Sequence, residues 1–174
     1  MKIRNCYSKF FDERATGSKV DTLVIHSMYC PQAKNQTSAR ACIALLSSCE
    51  VSAHFVISRS GIVWRLVREE KRAWHAGVSM MPDGRKGVNH FSIGVELLAT
   101  EKQDFTGRQY LALERLVMLL AQKFPLKSIV GHSDIARPKG RKRDPGPKFD
   151  WDLLKRRLRQ YSALKKISFP SVSS

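Results

Sequence analysis

Three short apolar runs limit what this chain can fold into. Leu23-Val24-Ile25 runs into His26, Ser128-Ile129-Val130 leads to Gly131-His132, and Phe91–Leu98 carries a single acid, Glu96, among Ile93, Val95, Leu97 and Leu98. Runs of this length, rich in Val and Ile, read as buried strands. Segments of helical spacing lie between them. Thr37 or Ser38 can cap a helix reaching about Cys49, with Ala41, Leu45 and Leu46 on one face. Thr106–Phe124 offers a broad leucine face, and Trp151–Tyr161 reads as a basic amphipathic helix. Ala53–Ser58 and Ile62–Val67 flank Arg59-Ser60-Gly61 and predict a hairpin. Strands joined partly by helices and partly by a hairpin give an α/β fold: a single domain with a mixed central β-sheet of about five strands flanked by α-helices.

The ends and the middle read differently. Residues 1–20 are polar and are expected to be irregular, residues 21–161 form the domain, and residues 162–174 read as a frayed tail. Lys71–His90, broken by Gly77, Pro82, Gly84 and Gly87, reads as a long loop of the functional kind. At 174 residues the chain suits one domain. No apolar run nears the roughly 20 residues of a membrane span. The first twenty residues lack the apolar stretch of a leader, so the expected location is the cytoplasm, or the envelope or periplasm for a chain whose leader has been removed.

The net charge is +16, and residues 137–166 alone contribute +9. That balance favours anionic partners. No helix-turn-helix, zinc-finger or ribonucleoprotein signature accompanies it, so a specific nucleic-acid complex is not expected. None of the four cysteines forms a C-x-x-C pair. Cys42 and Cys49, seven residues apart on one helix, stand about 10 Å apart, too far for a disulfide. Reduced thiols in a reducing compartment are the simpler reading.

Candidate chemistry sits where the strands end. His26 and His132 each follow a buried run, and Asp144 precedes Pro145-Gly146-Pro147, whose prolines stiffen the backbone. Two imidazoles and a carboxylate suit a catalytic zinc that keeps a fourth position open. Taken singly, each histidine is also an ordinary hydrogen bonder and the Asp-Pro-Gly-Pro segment an ordinary turn, and spacings of 106 and 12 residues match no compact ligand motif. Glu96 is either a buried general base of raised pKa or an acid that strand alternation turns to solvent. Lys142 is either a cation for a developing oxyanion or part of a solvated basic run.

Six segments stand together in the order of one family: Val24-Ile25-His26; Val51-Ser52-Ala53-His54-Phe55; Arg72-Ala73-Trp74-His75-Ala76-Gly77; Asn89 with Ser92–Leu97; Gly131–Ala136; and Asp144–Trp151. The chain resembles the zinc-dependent N-acetylmuramoyl-L-alanine amidases of the AmpD type, relatives of phage T7 lysozyme and of the peptidoglycan-recognition proteins. The resemblance covers about residues 21–155. It implies hydrolysis of the amide between the lactyl group of N-acetylmuramic acid and L-alanine, in peptidoglycan or in muropeptides; a monomer is expected. It implies Zn2+ on His26, His132 and Asp144, with Glu96 and Lys142 as catalytic groups. It places Trp74, His75 and Asn89 along the substrate groove. Asp144 sets the chain on the aspartate side of the family, where the phage branch has cysteine. Ala53 stands where that branch has tyrosine before the residue matching His54. A non-catalytic recognition module on the same fold is the alternative. The basic segment Lys155–Arg159 with Lys165 and Lys166 lies beyond the motifs and reads either as an aid to binding anionic cell wall or as a solvated helix face.

Overall fold

The computed structural model describes residues 2–170. Its strands are β1 (Ile3–Asn5), β2 (Phe11–Glu13), β3 (Thr22–Met28), β4 (Phe55–Ile57), β5 (Val63–Arg65), β6 (Lys71–Ala73), β7 (Ser92–Leu98) and β8 (Ser128–Gly131). Its helices are α1 (Ala39–Ser48), α2 (Gly107–Ala121), the single turn α3 (His132–Ile135) and α4 (Trp151–Arg159). Six strands form a mixed sheet in the order β1-β5-β4-β7-β3-β8. The β4–β5 hairpin is antiparallel; β4, β7, β3 and β8 run parallel. The α/β architecture is as expected, with six strands in the main sheet rather than about five.

The helices start where the sequence provides caps. Ser38 accepts from the Ala41 N–H at α1. Thr106 and Gln109 form a reciprocal capping box at α2, which satisfies two N–H groups the first turn would leave unpaired. Asp150 accepts from the Leu153 N–H at 2.7 Å at α4.

Alternation along the strands sorts the sheet into two faces. Leu23 and Ile25 of β3 and Ile93, Val95 and Leu97 of β7 pack with the apolar faces of α2 and α4 in the largest core cluster. On the other face, Val24 and Val130 pack against Ala76, Met81 and Val88 of the 74–90 loop. Val56 and Leu98 pack against Cys42 and Leu46 of α1.

Both ends of the chain are more ordered than the sequence suggests. The segment expected to be irregular contributes β1, which pairs with β5, and β2, which pairs antiparallel with β6. The tail expected to fray turns through Ser162–Leu164, buries Leu164 and Ile167, and bridges Ser168 to Ser128. Its last four residues lie outside the described residues. In both places the partners are distant in sequence, so a local reading sees only polar, short segments. The long loop likewise contains β6 and a 3-10 turn at Val88–His90. Within the basic segment, Arg157 is not a free surface charge. It pairs with buried Glu114 of α2 at 2.9 Å, which also accepts from Gln160 and Tyr161. All four cysteines are free.

Candidate active site

The parallel strands end at one edge of the sheet, where α/β proteins place ligands. His26 lies within β3, in register with Glu96 of β7, and Ile25 pairs with Gly131, one residue before His132. The sheet thus brings together residues 70 and 106 positions from His26. Asp144 arrives on the loop after α3, whose backbone is fixed when the Ser133 N–H donates to the Asp144 carbonyl at 2.9 Å. Gly131 leaves room for that loop: a Cβ there would stand 2.8 Å from Pro145 Cδ.

Three atoms meet in a triangle. His26 Nδ1 lies 3.1 Å from His132 Nδ1 and 3.0 Å from Asp144 Oδ2, and His132 Nδ1 lies 3.1 Å from the same oxygen. Both histidines are buried and the aspartate is half-buried. Among the described residues this is a group able to hold a metal ion. The far side of His132 explains its orientation. A carbonyl can only accept, so the 3.1 Å contact from His132 Nε2 to the Ala76 carbonyl places the ring proton on Nε2. In the neutral imidazole, Nδ1 then has no proton and faces the triangle with its lone pair. Burial lowers the pKa of His26, favouring the neutral form that ligates metals.

Glu96 is buried rather than turned to solvent, and its Oε2 has no hydrogen-bond partner among the described residues. Burial, with the nearby Asp144 charge, pushes its pKa up to about 8, while Lys142 pulls the other way. Lys142 is exposed on the Gly140–Lys148 loop and lines a cleft of about 600 Å³ together with Ser27, Tyr29, Thr100 and Asp144. Its charge reaches both Glu96 and His26.

The expected groove residues divide. Trp74 is half-buried, and its Nε1 donates to Asp12 Oδ2 at 2.7 Å. His75 and Asn89, both half-buried, turn polar atoms towards the protein itself. His75 Nδ1 lies 3.0 Å from His26 Nε2, and its Nε2 lies 3.2 Å from Ser92 Oγ. Burial drives its pKa well below the ordinary histidine value. Asn89 Oδ1 accepts from the His75 and Ala76 N–H groups at 3.2 and 2.8 Å, pinning the loop behind the triangle. His54 is fully buried and its Nδ1 accepts from the Gly94 N–H, so it supports β7 and stays off the triangle.

Three supporting residues escaped the sequence reading. Asp12 and Arg14 lie in the segment expected to be irregular. The Arg14 guanidinium is drawn inward to donate to the His90, Asn89 and Ser92 carbonyls. Ser92 looked like an ordinary strand residue. A signal was available at Gly94, since a glycine inside a strand often marks a close approach. A Cβ there would stand 2.5 Å from His75 Cγ.

Comparison with known proteins decides the family. The N-acetylmuramoyl-L-alanine amidase family model matches residues 16–147. The chain belongs to the N-acetylmuramoyl-L-alanine amidase family. The 1,6-anhydro-N-acetylmuramyl-L-alanine amidase AmpD of Haemophilus influenzae is 37% identical over 165 residues, covering 86% of this chain and 88% of AmpD. A crystal structure of a selenomethionine AmpD derivative superposes with a TM-score of 0.74 at 32% identity, covering 89% of this chain and 93% of that one. The amidase AmiD of Escherichia coli, in complex with the substrate anhydro-N-acetylmuramic acid-L-Ala-D-gamma-Glu-L-Lys, superposes with a TM-score of 0.70 at 26% identity, covering 95% of this chain and 69% of AmiD. This amidase has no helix among its described residues long and apolar enough to cross a membrane.

Proposed function

We propose that this amidase holds one zinc ion on His26, His132 and Asp144 and hydrolyses the bond between the lactyl group of N-acetylmuramic acid and L-alanine in muropeptides. The observation that carries the reading is the closed His26–His132–Asp144 triangle beside the buried Glu96 carboxyl, whose Oε2 has no partner among the described residues. The donor set fits zinc: two neutral imidazoles and a carboxylate are the N and O ligands of a catalytic site that keeps a position open. When bound, zinc supplies a Lewis acid that polarises a carbonyl and makes water more acidic.

The chain's own groups carry the protons. Attack of water on the lactyl carbonyl releases one proton, and departure of the alanine nitrogen takes one up. Glu96 is placed to accept the first and deliver the second. Burial and the Asp144 charge favour its protonated form; a cation at the triangle favours its ionised form and so restores a base. Lys142 brings positive charge to the same cleft, where it stabilises the carbonyl oxygen as negative charge builds. Trp74 is assigned to the groove wall, whereas His75 and Asn89 are assigned to the support of the site.

The names of the relatives favour soluble 1,6-anhydro-muropeptides over intact wall. Four free cysteines suit a reducing, cytoplasmic setting. Every residue of the site comes from one chain, so a monomer suffices. The test is incubation with an anhydro-muramyl tripeptide followed by mass spectrometry. The expected products are the free tripeptide and anhydro-N-acetylmuramic acid. Retention of an uncleaved muropeptide would instead make the protein a recognition module.

A further inference from the structure

The hydrogen bonds behind His26 have a direction that can be read from their ends. Ser92 Oγ stands 2.7 Å from the Val88 carbonyl oxygen, a contact that requires a hydrogen between the two oxygens. The carbonyl has none to give, so Ser92 donates its hydroxyl proton there. Towards His75 Nε2, at 3.2 Å, the hydroxyl can then only accept, and the proton of neutral His75 sits on Nε2. His75 Nδ1 is left with a lone pair, which accepts from His26 Nε2 at 3.0 Å. With its proton on Nε2, His26 has a bare Nδ1, and that is the atom that faces His132 and Asp144.

We propose that His75, fixed by Ser92, is a positioning residue that sets the tautomer of His26 so that its Nδ1 lone pair faces the metal position. The Ala76 carbonyl does the same for His132 from the next residue along. One dipeptide, His75-Ala76, held from behind by Asn89, thus aims both imidazoles. The consequence for the triangle is chemical. Its three facing atoms all present lone pairs, so their 3.0–3.1 Å separations are not mutual hydrogen bonds. They form a site for a cation. Ligating histidines usually direct their second nitrogen to an acceptor in this way, and loss of that acceptor typically weakens metal binding by about 10–100-fold.

This inference rests on the zinc assignment above, and its test uses no substrate, so it can fail or stand independently of the amidase reaction. Long-range proton–nitrogen NMR of the metal-free wild-type protein reports the tautomers directly: His26, His75 and His132 should each carry the proton on Nε2. Zinc affinity is then measured by competition with a chromophoric chelator. His75→Phe keeps a ring without nitrogens and should weaken zinc by about 10–100-fold. His75→Asn, whose Oδ1 stands near the lost Nδ1, should recover most of that loss. Ser92→Ala removes the group that orients His75 and should weaken zinc less than His75→Phe, with the His75 proton spread over both nitrogens. A wild-type His26 protonated on Nδ1 would overturn the proposal, a result that needs no variant to fold. Wild-type zinc affinity in His75→Phe, or equal losses in the Phe and Asn variants, would overturn it too.

Discussion

β7 carries two different proteins on its two sides. Towards α2 and α4 it presents Ile93, Val95 and Leu97, all fully buried among hydrocarbon. Towards the loop it presents Ser92, Gly94 and Glu96: a hydroxyl under His75, a gap that the His75 ring occupies, and a carboxyl in register with His26. The first side is held by area and volume, which many apolar sequences can supply. The second is held by hydrogen bonds of fixed direction and by a missing side chain, which few sequences supply. Stability and chemistry are thereby separated by a single alternation, and substitutions one residue apart should fail in different ways.

The largest effect should come at Glu96. Glu96→Gln keeps the shape and removes the proton carrier, so turnover should fall about 10²–10⁴-fold while zinc content, measured on the same preparation, stays at the wild-type level. Loss of zinc together with turnover would move Glu96 from the reaction to the support of the site. One residue along, Leu97→Ala should cost about 2–5 kcal/mol in denaturant unfolding, with turnover per folded molecule unchanged. Gly94→Ala adds one methyl 2.5 Å from His75 Cγ. Overpacking of this kind costs about 1–3 kcal/mol, and here the ring that must yield is the one behind His26, so zinc affinity should fall as well. An alanine that lowers stability and leaves zinc binding intact would break the division between the two sides.

The smallest net effect is graded by pH, because two buried groups oppose each other between pH 4.5 and 6.5. Burial lowers the pKa of His54 from 6.5 to about 3. Below pH 6.5 the unfolded chain takes up a proton that the folded chain refuses until about pH 3. Chelated protein should therefore lose about 1.4 kcal/mol per pH unit from this one group as pH falls through that window, and the contribution is fully present above it. Glu96, pushed up to about 8, works in the opposite sense: the unfolded carboxyl ionises first, so stability of the chelated protein falls as pH rises from 4.5 towards 8. Chemical denaturation of the chelated protein across pH 4–8 checks both flanks.

The same two sides explain how much could be read from the sequence. Ile93, Val95 and Leu97 announce a strand by their own periodicity, and the α2 helix announces its cap through Thr106 and Gln109. His26, Glu96, His132 and Asp144 were legible because each interrupts an apolar run or a rigid turn, and the order of the surrounding motifs matched a family. The inward contacts of His75 and Asn89 were not legible, because what decides them is direction. Nothing in the sequence says that Asn89 Oδ1 faces two N–H groups of its own loop, or that the His75 ring fills the space a side chain at Gly94 would need. Arg14 and Asp12 were invisible for a related reason: their partners Ser92 and Trp74 stand 78 and 62 residues away, on β7 and the 71–90 loop.

Zinc stoichiometry beside turnover tests the central claim most directly. The wild-type protein should contain one zinc per chain, lose turnover on an anhydro-muramyl tripeptide when chelated, and regain it when zinc is returned. His26→Ala, His132→Ala and Asp144→Ala should each contain well below one zinc per chain and show no turnover above background. Full turnover by the metal-free protein, or by any of the three variants, would contradict the account.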